Sequence, residues 1–197
     1  MSKLQELIQQ LCPKGVEYKK LADVCKINRG VRVTRGVLQA DGFNPVYQNA
    51  LTPLGYYDKT NRKGFTTFVI GAGAAGQIGF SNVPFWAADD CYTFDEIQGL
   101  NDKYIYYFLQ TKQSFIDSRV RRSSIPRISR DVFAKIEIPI PPLPVQDEIV
   151  KILDRFAEYA AELQAELQAE LQARQEQYEH YRNKLLSFNQ IGGVQNK

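Results

Sequence analysis

The feature that most constrains this chain is an unbroken run of helix formers near its C-terminus. Residues 143–188 read LPVQDEIVKILDRFAEYAAELQAELQAELQARQEQYEHYRNKLLSF. No glycine interrupts the run and no proline follows Pro144. Ala, Leu, Gln and Glu dominate it, and these residues lose little freedom in a helix. As one helix it would be roughly 67 Å long, at about 1.5 Å per residue. That exceeds the width of one small core, so the segment reads as a rod that joins other things.

The apolar positions say what kind of rod. Ile149, Leu153, Phe156, Ala160, Leu163, Leu167 and Leu171 lie three or four residues apart, as do Tyr178, Tyr181, Leu185 and Phe188. This is a coiled-coil seam. The tetrapeptide AELQ occurs three times in tandem over residues 161–172, so Leu163, Leu167 and Leu171 are four apart twice running, a stutter in the heptad. Glu162, Glu166 and Glu170 repeat at the same spacing, where like charges repel, and no Lys or Arg lies between Arg155 and Arg174 to relieve them. A solitary solvated rod would want alternating charge. The expectation is therefore a leucine stripe buried against another helix, with Leu153, Phe156, Ala160, Leu163, Leu167, Leu171, Tyr178, Tyr181 and Leu185 at the interface; a long helix packed on its own domain is the plainer alternative.

Charge divides the chain at the same place. Residues 1–142 hold 19 Lys/Arg against 13 Asp/Glu, net +6, and residues 143–197 hold 6 against 9, net −3. A basic domain long enough to bury its own core thus precedes an acidic helix. The expected fold class is α+β: one mixed α/β domain over 1–142, a long coiled-coil helix over 143–188, and a tail over 189–197. Basic charge is compatible with nucleic acid, and at this size it is weak evidence alone. Cys12, Cys25 and Cys91 are odd in number, widely spaced and form no metal motif, which points to a reducing compartment. There is no apolar N-terminal run of the signal-peptide kind and no stretch of about 18 apolar residues that could span a membrane. The expected location is the cytoplasm, with no membrane contact.

Along the domain, Ser2–Leu11 reads as a short amphipathic helix with a Ser2/Gln5 capping box. Val16–Asn28 reads as extended segments around a turn. RGVRVTRG follows, with Arg29 before Gly30 and Arg32 and Arg35 between Gly30 and Gly36, and Arg in such loops suits phosphate and base-edge contact. Short strands are expected at Thr67–Ile70, Gln77–Phe80 and Cys91–Phe94, with most of the surrounding aromatic rings in the core. Lys59, Arg62 and Lys63 form a basic cluster in a loop. Leu100 onward suits an amphipathic helix capped by Asn101 or Asp102. It runs into RVRRSSIPRISR, Arg119 to Arg130, where five of the twelve residues are Arg and none is acidic. This is the densest basic segment, and the strongest candidate for DNA contact; Ser129 could cap a short helix through Phe133. Lys135–Pro144 alternates like a strand, and Pro144 suits the first turn of the rod.

Two motifs mislead. Gly71-Ala-Gly-Ala-Ala-Gly76 matches G-x-G-x-x-G after an apolar strand, but a dinucleotide site needs a helix next, and QIGFSNVPFW reads as strand and turn. The glycines fit a tight turn or a close backbone approach to a ligand. Asn82-Val-Pro-Phe85 is similar to the Asn-Pro-Pro-Tyr/Phe motif of amino-methyltransferases, but Val83 replaces the first proline and no cofactor domain fits before it. The single histidine, His180, sits on the rod, so no Ser-His-Asp set, metal cluster or Walker A loop can be assembled. Asp89 and Asp90 have no neighbouring nucleophile. No catalytic residue and no metal ligand is assigned.

Taken together, MSKLQELIQQLCPKGVEYKKLADVCKINRG, KYIYYFLQTK, the SSIPRIS loop, and IPIPPLPVQDEIVKILDRF leading to RQEQYEHYRNKLLSF resemble specificity subunits of type I restriction–modification systems. The resemblance covers nearly the whole chain; the PIPPLPVQ-to-helix junction is its most specific part and the glycine-rich middle its least. Such subunits are non-catalytic. They carry two target-recognition domains at opposite ends of two antiparallel helices, read a bipartite DNA site, and dock methyltransferase and motor nuclease subunits. The resemblance implies double-stranded DNA and those two subunits as partners. It implies no cofactor on this chain, with S-adenosylmethionine and ATP belonging to the partners. This sequence departs from the pattern in holding one recognition domain and one helix, and both ends read as complete. The expectation is a half-length subunit that homodimerises through antiparallel helices, on a palindromic site. Carried over by segment, DNA contact would fall on the loops holding Arg29, Arg32, Arg35, Lys59, Arg62, Lys63, Arg121, Arg122 and Arg127, with Arg119 and Arg130 bounding the last. The competing expectation is a truncated coiled-coil regulator or inhibitor that occupies the methyltransferase without reading DNA.

Overall fold

Local chemistry fixes most of the element ends in the computed structural model, which describes residues 2–188. Helix α1, Lys3–Leu11, starts at the expected capping box, in which the Ser2 hydroxyl accepts from the Gln5 amide and the Gln5 side chain answers the Ser2 amide. Strand β1, Glu17–Lys20, leads through the one-turn helix α2, Leu21–Val24, to β2, Lys26–Arg29. After a 3-10 turn at Arg35–Val37 come β3, Asn44–Tyr47, and β4, Gly55–Tyr57. Then follow β5, Thr66–Ile70, β6, Ile78–Ser81, β7, Trp86–Ala87, and β8, Cys91–Asp95. Asn101 caps α3, Asp102–Thr111, by accepting from the amides of Lys103 and Tyr104. The helix expected to run on from there breaks at Lys112 and resumes as α4, Gln113–Ser118. Ser129 caps α5, Arg130–Ala134; β9, Glu137–Ile140, precedes α6, Leu143–Leu186, with Pro144 in its first turn.

The strands form three small sheets. The central one is antiparallel in the order β2-β8-β5-β6; a second runs β4-β3-β7, with β3 and β7 parallel; the third pairs β1 with β9. The β1–β9 pair, Glu17 opposite Ile140, fastens the N-terminal part of the chain to the segment that starts the rod. One face of the central sheet packs against α2, α3 and α5 through Val69, Phe94, Ile105, Leu109 and Phe133. The other buries Phe68, Ile70, Phe85, Ala87 and Cys91 beneath Tyr47. Phe68 stacks on Tyr47 with ring centroids 4.5 Å apart. It lies flat over Gly79, its partner across β5 and β6; any side chain at Gly79 would overlap the ring.

The chain divides into two compact units, the first ending at Ile152 and the second starting at Leu153. The first unit therefore takes in the opening turns of α6, ten residues beyond the 142/143 boundary read from composition. Val145, Gln146 and Val150 explain this. All three are buried, and the Gln146 amide is fully used: its oxygen accepts from the Asn101 amide at 2.8 Å, and its nitrogen donates to the carbonyls of Gly99, 2.9 Å, and Pro141, 2.7 Å. A Lys3–Glu148 ion pair at 2.7 Å ties α1 to the same turns. The second unit, as far as it is described, is the remainder of α6. The predicted tail, 189–197, lies outside the described residues.

Candidate nucleic-acid interface

The glycine-rich stretch is the centre of the site. It makes a tight turn between β5 and β6, as expected, with no helix after it. Gly73 (φ +87°) and Gly76 (φ +90°) adopt backbone conformations that other residues rarely take. Several segments are stitched to the turn, through four backbone bonds and one side-chain bond. The amide of Gly73 donates to the carbonyl of Pro126, 3.0 Å, and that of Ile128 to Gly71, 2.9 Å. The amide of Ala74 donates to Asn49 at 2.9 Å, and Gly71 donates to Asp90. Gln113 on α4 donates to the carbonyl of Gly76 at 3.1 Å.

The Arg-rich segment is thereby held as a closed loop. Arg121 and Arg127 exchange both backbone hydrogen bonds, at 2.8 and 3.1 Å. Pro126 and the Ser123 hydroxyl, which donates to the carbonyl of Ile125 at 2.8 Å, stiffen the tip between them. Arg121, Arg122 and Arg127 are exposed, and among the described residues no hydrogen bond or ion pair engages their guanidinium groups. Asp117 lines the same pocket as Arg122 and accepts from Gln113 at 2.7 Å. A closed, exposed, net cationic loop suits phosphate contact.

The second Arg loop reaches the same end of the sheet. Gly30 passes so close to the carbonyls of Ala87 and Ala88 that no side chain fits, and its amide donates to Cys91 at 2.9 Å. The Trp86 indole donates to Val31 at 2.7 Å. Arg29 is anchored to the carbonyl of Asp89, while Arg32 and Arg35 further along are exposed and without a polar partner among the described residues.

Other predicted contacts lie elsewhere. Arg62 does not offer its charge to a ligand. Its side chain is 14% exposed and donates to the Thr93 hydroxyl, 2.6 Å, and to the carbonyls of Asn61 and Arg29, and pairs with Asp95 at 3.5 Å. It clamps β8 to the Arg29 loop, a task its position in a polar run did not reveal. Lys63 lies near Asp102, at the end of β5 opposite the glycine turn, and Lys59 is exposed on the segment after β4. Arg119 stacks on the Phe115 ring, 5.1 Å from its centroid, and Arg130 opens α5.

The titratable groups of the domain show no nucleophile. Burial pushes the thiols of Cys25 and Cys91 up to about 12. Burial also lifts the Asp102 carboxyl to about 6, against the lowering effect of Thr67, whose amide donates to the carboxylate at 2.7 Å and whose hydroxyl donates to the Asp102 main-chain carbonyl at 2.8 Å. Among the described residues no group of His, Cys, Asp and Glu could hold a metal ion, and no helix is long and apolar enough to cross a membrane.

Exposed arginine loops at one end of the sheet, in an α+β domain whose chain continues as a long helix, make up the candidate interface. The comparisons give the family. The model of the type I restriction modification DNA specificity domain matches residues 13–173, and the chain belongs to that family. A putative type I restriction enzyme specificity subunit of Haemophilus influenzae is 34% identical over 188 residues, covering 91% of this chain and 48% of that protein. A putative type I specificity subunit of Mycoplasma pneumoniae is 28% identical over 204 residues, covering 98% of this chain and 64% of its own. The crystal structure of a type I restriction-modification S subunit from M. genitalium shares the fold, with a TM-score of 0.68 at 20% identity over 88% of this chain and 48% of that one. The chain thus spans about half the length of the Haemophilus relative and of that solved subunit.

Proposed function

We propose that this chain is a DNA sequence-recognition subunit of a type I restriction–modification assembly. It contributes one target-recognition domain and acts as a homodimer on a bipartite, palindromic site. The observation that carries the reading is the family match across both the domain and the rod, on a chain that covers 48% of the Haemophilus relative and 64% of the Mycoplasma one. One domain and one helix supply half of a two-fold arrangement, and a second copy supplies the other half. The seam supports this: Leu163 and Leu167 are each 67% exposed and Leu171 52% exposed, so within one copy the stripe has no cover.

The loop end of the sheet would meet DNA. Arg121, Arg122 and Arg127 would hold phosphates, and the Arg29–Arg35 loop would lie beside them. Chemistry would come from a DNA methyltransferase subunit with S-adenosylmethionine and from an ATP-driven nuclease subunit; this chain would bind and orient. The test is to express the chain with a type I methyltransferase subunit and map methylated bases on the host genome. A symmetric bipartite methylated sequence is expected. A complex that forms but methylates no defined sequence would overturn the reading in favour of a regulator that occupies the methyltransferase.

A further inference from the structure

We infer that two rods pair antiparallel in one register, with the two-fold axis passing through Leu167. The inference rests on the homodimer reading above and goes beyond it by fixing which residues meet. The spacing of the seam carries it. Counted outward from Leu167, the seam steps are 4, 3, 4, 3, 4 toward Ile149 and 4, 3, 4, 3, 4 toward Leu185, passing through Ala160 on one side and Arg174 on the other. The seam reads the same in both directions.

An antiparallel pair of identical helices needs that property, because each layer must find a partner layer at the same height. A regular heptad has mirror points only midway between seam residues, since a mirror through a residue exchanges the steps of three and four. Here the stutter places one step of four on each side of Leu167 and makes the mirror fall on a residue. Sliding the mirror to the gap on either side of Leu167 puts every second layer one residue out of step, Ala160 and Leu153 among them for the gap before Leu167. The stutter, which would be a defect off-centre, lies at the centre.

The layers that result are chemically matched. Leu167 meets its own copy, Leu163 meets Leu171, Phe156 meets Tyr178 and Leu153 meets Tyr181. Arg174, the one charged residue at a seam position in this span, meets Ala160, the smallest, so its aliphatic stem can cover the methyl while the guanidinium reaches water. Arg174 already leans outward in the single copy, 3.5 Å from Glu170. Parallel pairing in register would instead set Arg174 against Arg174 and Ala160 against Ala160, a buried like-charge contact and a gap. The antiparallel arrangement carries a cost along one flank, where Glu166 lies between the partner's Glu166 and the partner's Glu170 and Glu162 lies beside the partner's Glu170, and where solvent and salt screen the repulsion.

The four-residue AELQ unit equals one seam step. Removing or adding one unit leaves the step sequence symmetric and moves the mirror from Leu167 to the midpoint of a gap. The outer layers keep their partners for any number of repeats, so rod length can change without loss of fit.

Single cysteines test the register. The native thiols are buried, so the unmodified protein is the control without crosslinks. Under mild oxidation L167C should form covalent dimers alone. L163C and L171C should each stay monomeric on a non-reducing gel, because like positions are eight residues apart in register, about 12 Å. Co-expressed with different tags, those two should give a covalent heterodimer. Self-crosslinking of L163C, or no crosslink in the L163C–L171C mixture from protein that sediments as a dimer, overturns the register and leaves the homodimer reading standing. A monomer by sedimentation of the unmodified protein overturns both.

Discussion

The two halves of this molecule treat their apolar residues in opposite ways. In the recognition domain Phe68, Phe85, Phe94, Phe133 and Ile105 are all but inaccessible, held between sheet and helices. Beyond Ile152 the large apolar residues stay in water: Phe156, Leu163, Leu167, Tyr178 and Leu185 are exposed. Composition does not explain the contrast, because both halves are rich in apolar side chains. The domain's pattern is satisfied by its own fold, whereas the rod's 3–4 spacing specifies a helix with a face that the described residues of one copy leave uncovered. The first region encodes a closed core, and the second encodes the face on which the proposed assembly rests.

The largest effect that would separate them is a core truncation. Phe68→Ala removes the ring that stacks on Tyr47 and packs 5.4 Å from Phe85. It should cost the domain about 3–5 kcal/mol, read by denaturant unfolding, and leave association of the surviving folded fraction unchanged. Leu163→Ala should do the reverse, loosening the dimer with domain stability unmoved. A large loss of domain stability in Leu163→Ala would break the contrast.

Next in size is a charge in the seam. Leu167→Arg places two guanidinium groups against each other at the proposed two-fold and should weaken association more than ten-fold. An unaltered dimer by sedimentation at micromolar concentration would show that the rod is not the interface.

Within the domain, Asp102 offers a pH signature. Its folded value of about 6 lies above the ordinary 3.8 because of burial. The folded state therefore binds the extra proton, so its contribution to stability is full below pH 4 and is lost as pH rises through 6. Asp102→Asn keeps an oxygen for the Thr67 amide and should flatten the fall in domain stability between pH 4 and 6.5, by about 1–2 kcal/mol. Identical pH profiles for both proteins would exclude the carboxyl as the source.

What the sequence disclosed follows the same division. Features decided within a few residues were legible: the Ser2 and Ser129 caps, the Asn101 cap, strands β5, β6 and β8, the glycine turn and the start of the rod. Features decided at long range were not. Nothing local announces that β1 pairs with β9, that β3 runs parallel to β7, or that Gln146 serves three backbone groups across the start of α6. The site shows this most clearly. Arg62 and Arg122 look alike in sequence, both polar and flanked by loop residues, yet Arg62 is committed to Thr93 and Asp95 and Arg122 faces water. Charge count could flag both, and only the fold tells a clamp from a free guanidinium.

That distinction makes a smaller prediction. Replacing Arg121 and Arg122 with Ala should weaken DNA binding by the assembled complex on every sequence and reduce the salt slope by roughly one for each phosphate no longer neutralised. Arg62→Ala should lower domain stability first, because it removes the donors to the Thr93 hydroxyl and to the Asn61 and Arg29 carbonyls and leaves Asp95 to the neutral donors Asn28 and Thr93. An unchanged salt slope in the double variant would demote the Arg121–Arg127 loop to plain surface.

The smallest expected change is also the one that joins the two halves. If antiparallel rods hold two recognition domains apart, each AELQ unit adds about 6 Å of rod, four residues at ~1.5 Å each, and turns it roughly 40° beyond a full turn. DNA advances about 3.4 Å per base pair and turns by roughly 35° per pair. One repeat therefore matches DNA in rotation to within about one base-pair step, and its rise is of the same order. Both rods shorten together in a homodimer, and the symmetric seam still closes when a unit is lost. Deleting one unit should leave each half-site sequence intact and narrow the gap between the half-sites by one or two base pairs, with insertion widening it. Parallel rods would carry both domains at one end and uncouple gap from repeat number. Methylated sites mapped for chains with two, three and four repeats decide the matter: identical gaps sink the spacer, and changed half-sites would mean that the rod also shapes the face that reads DNA.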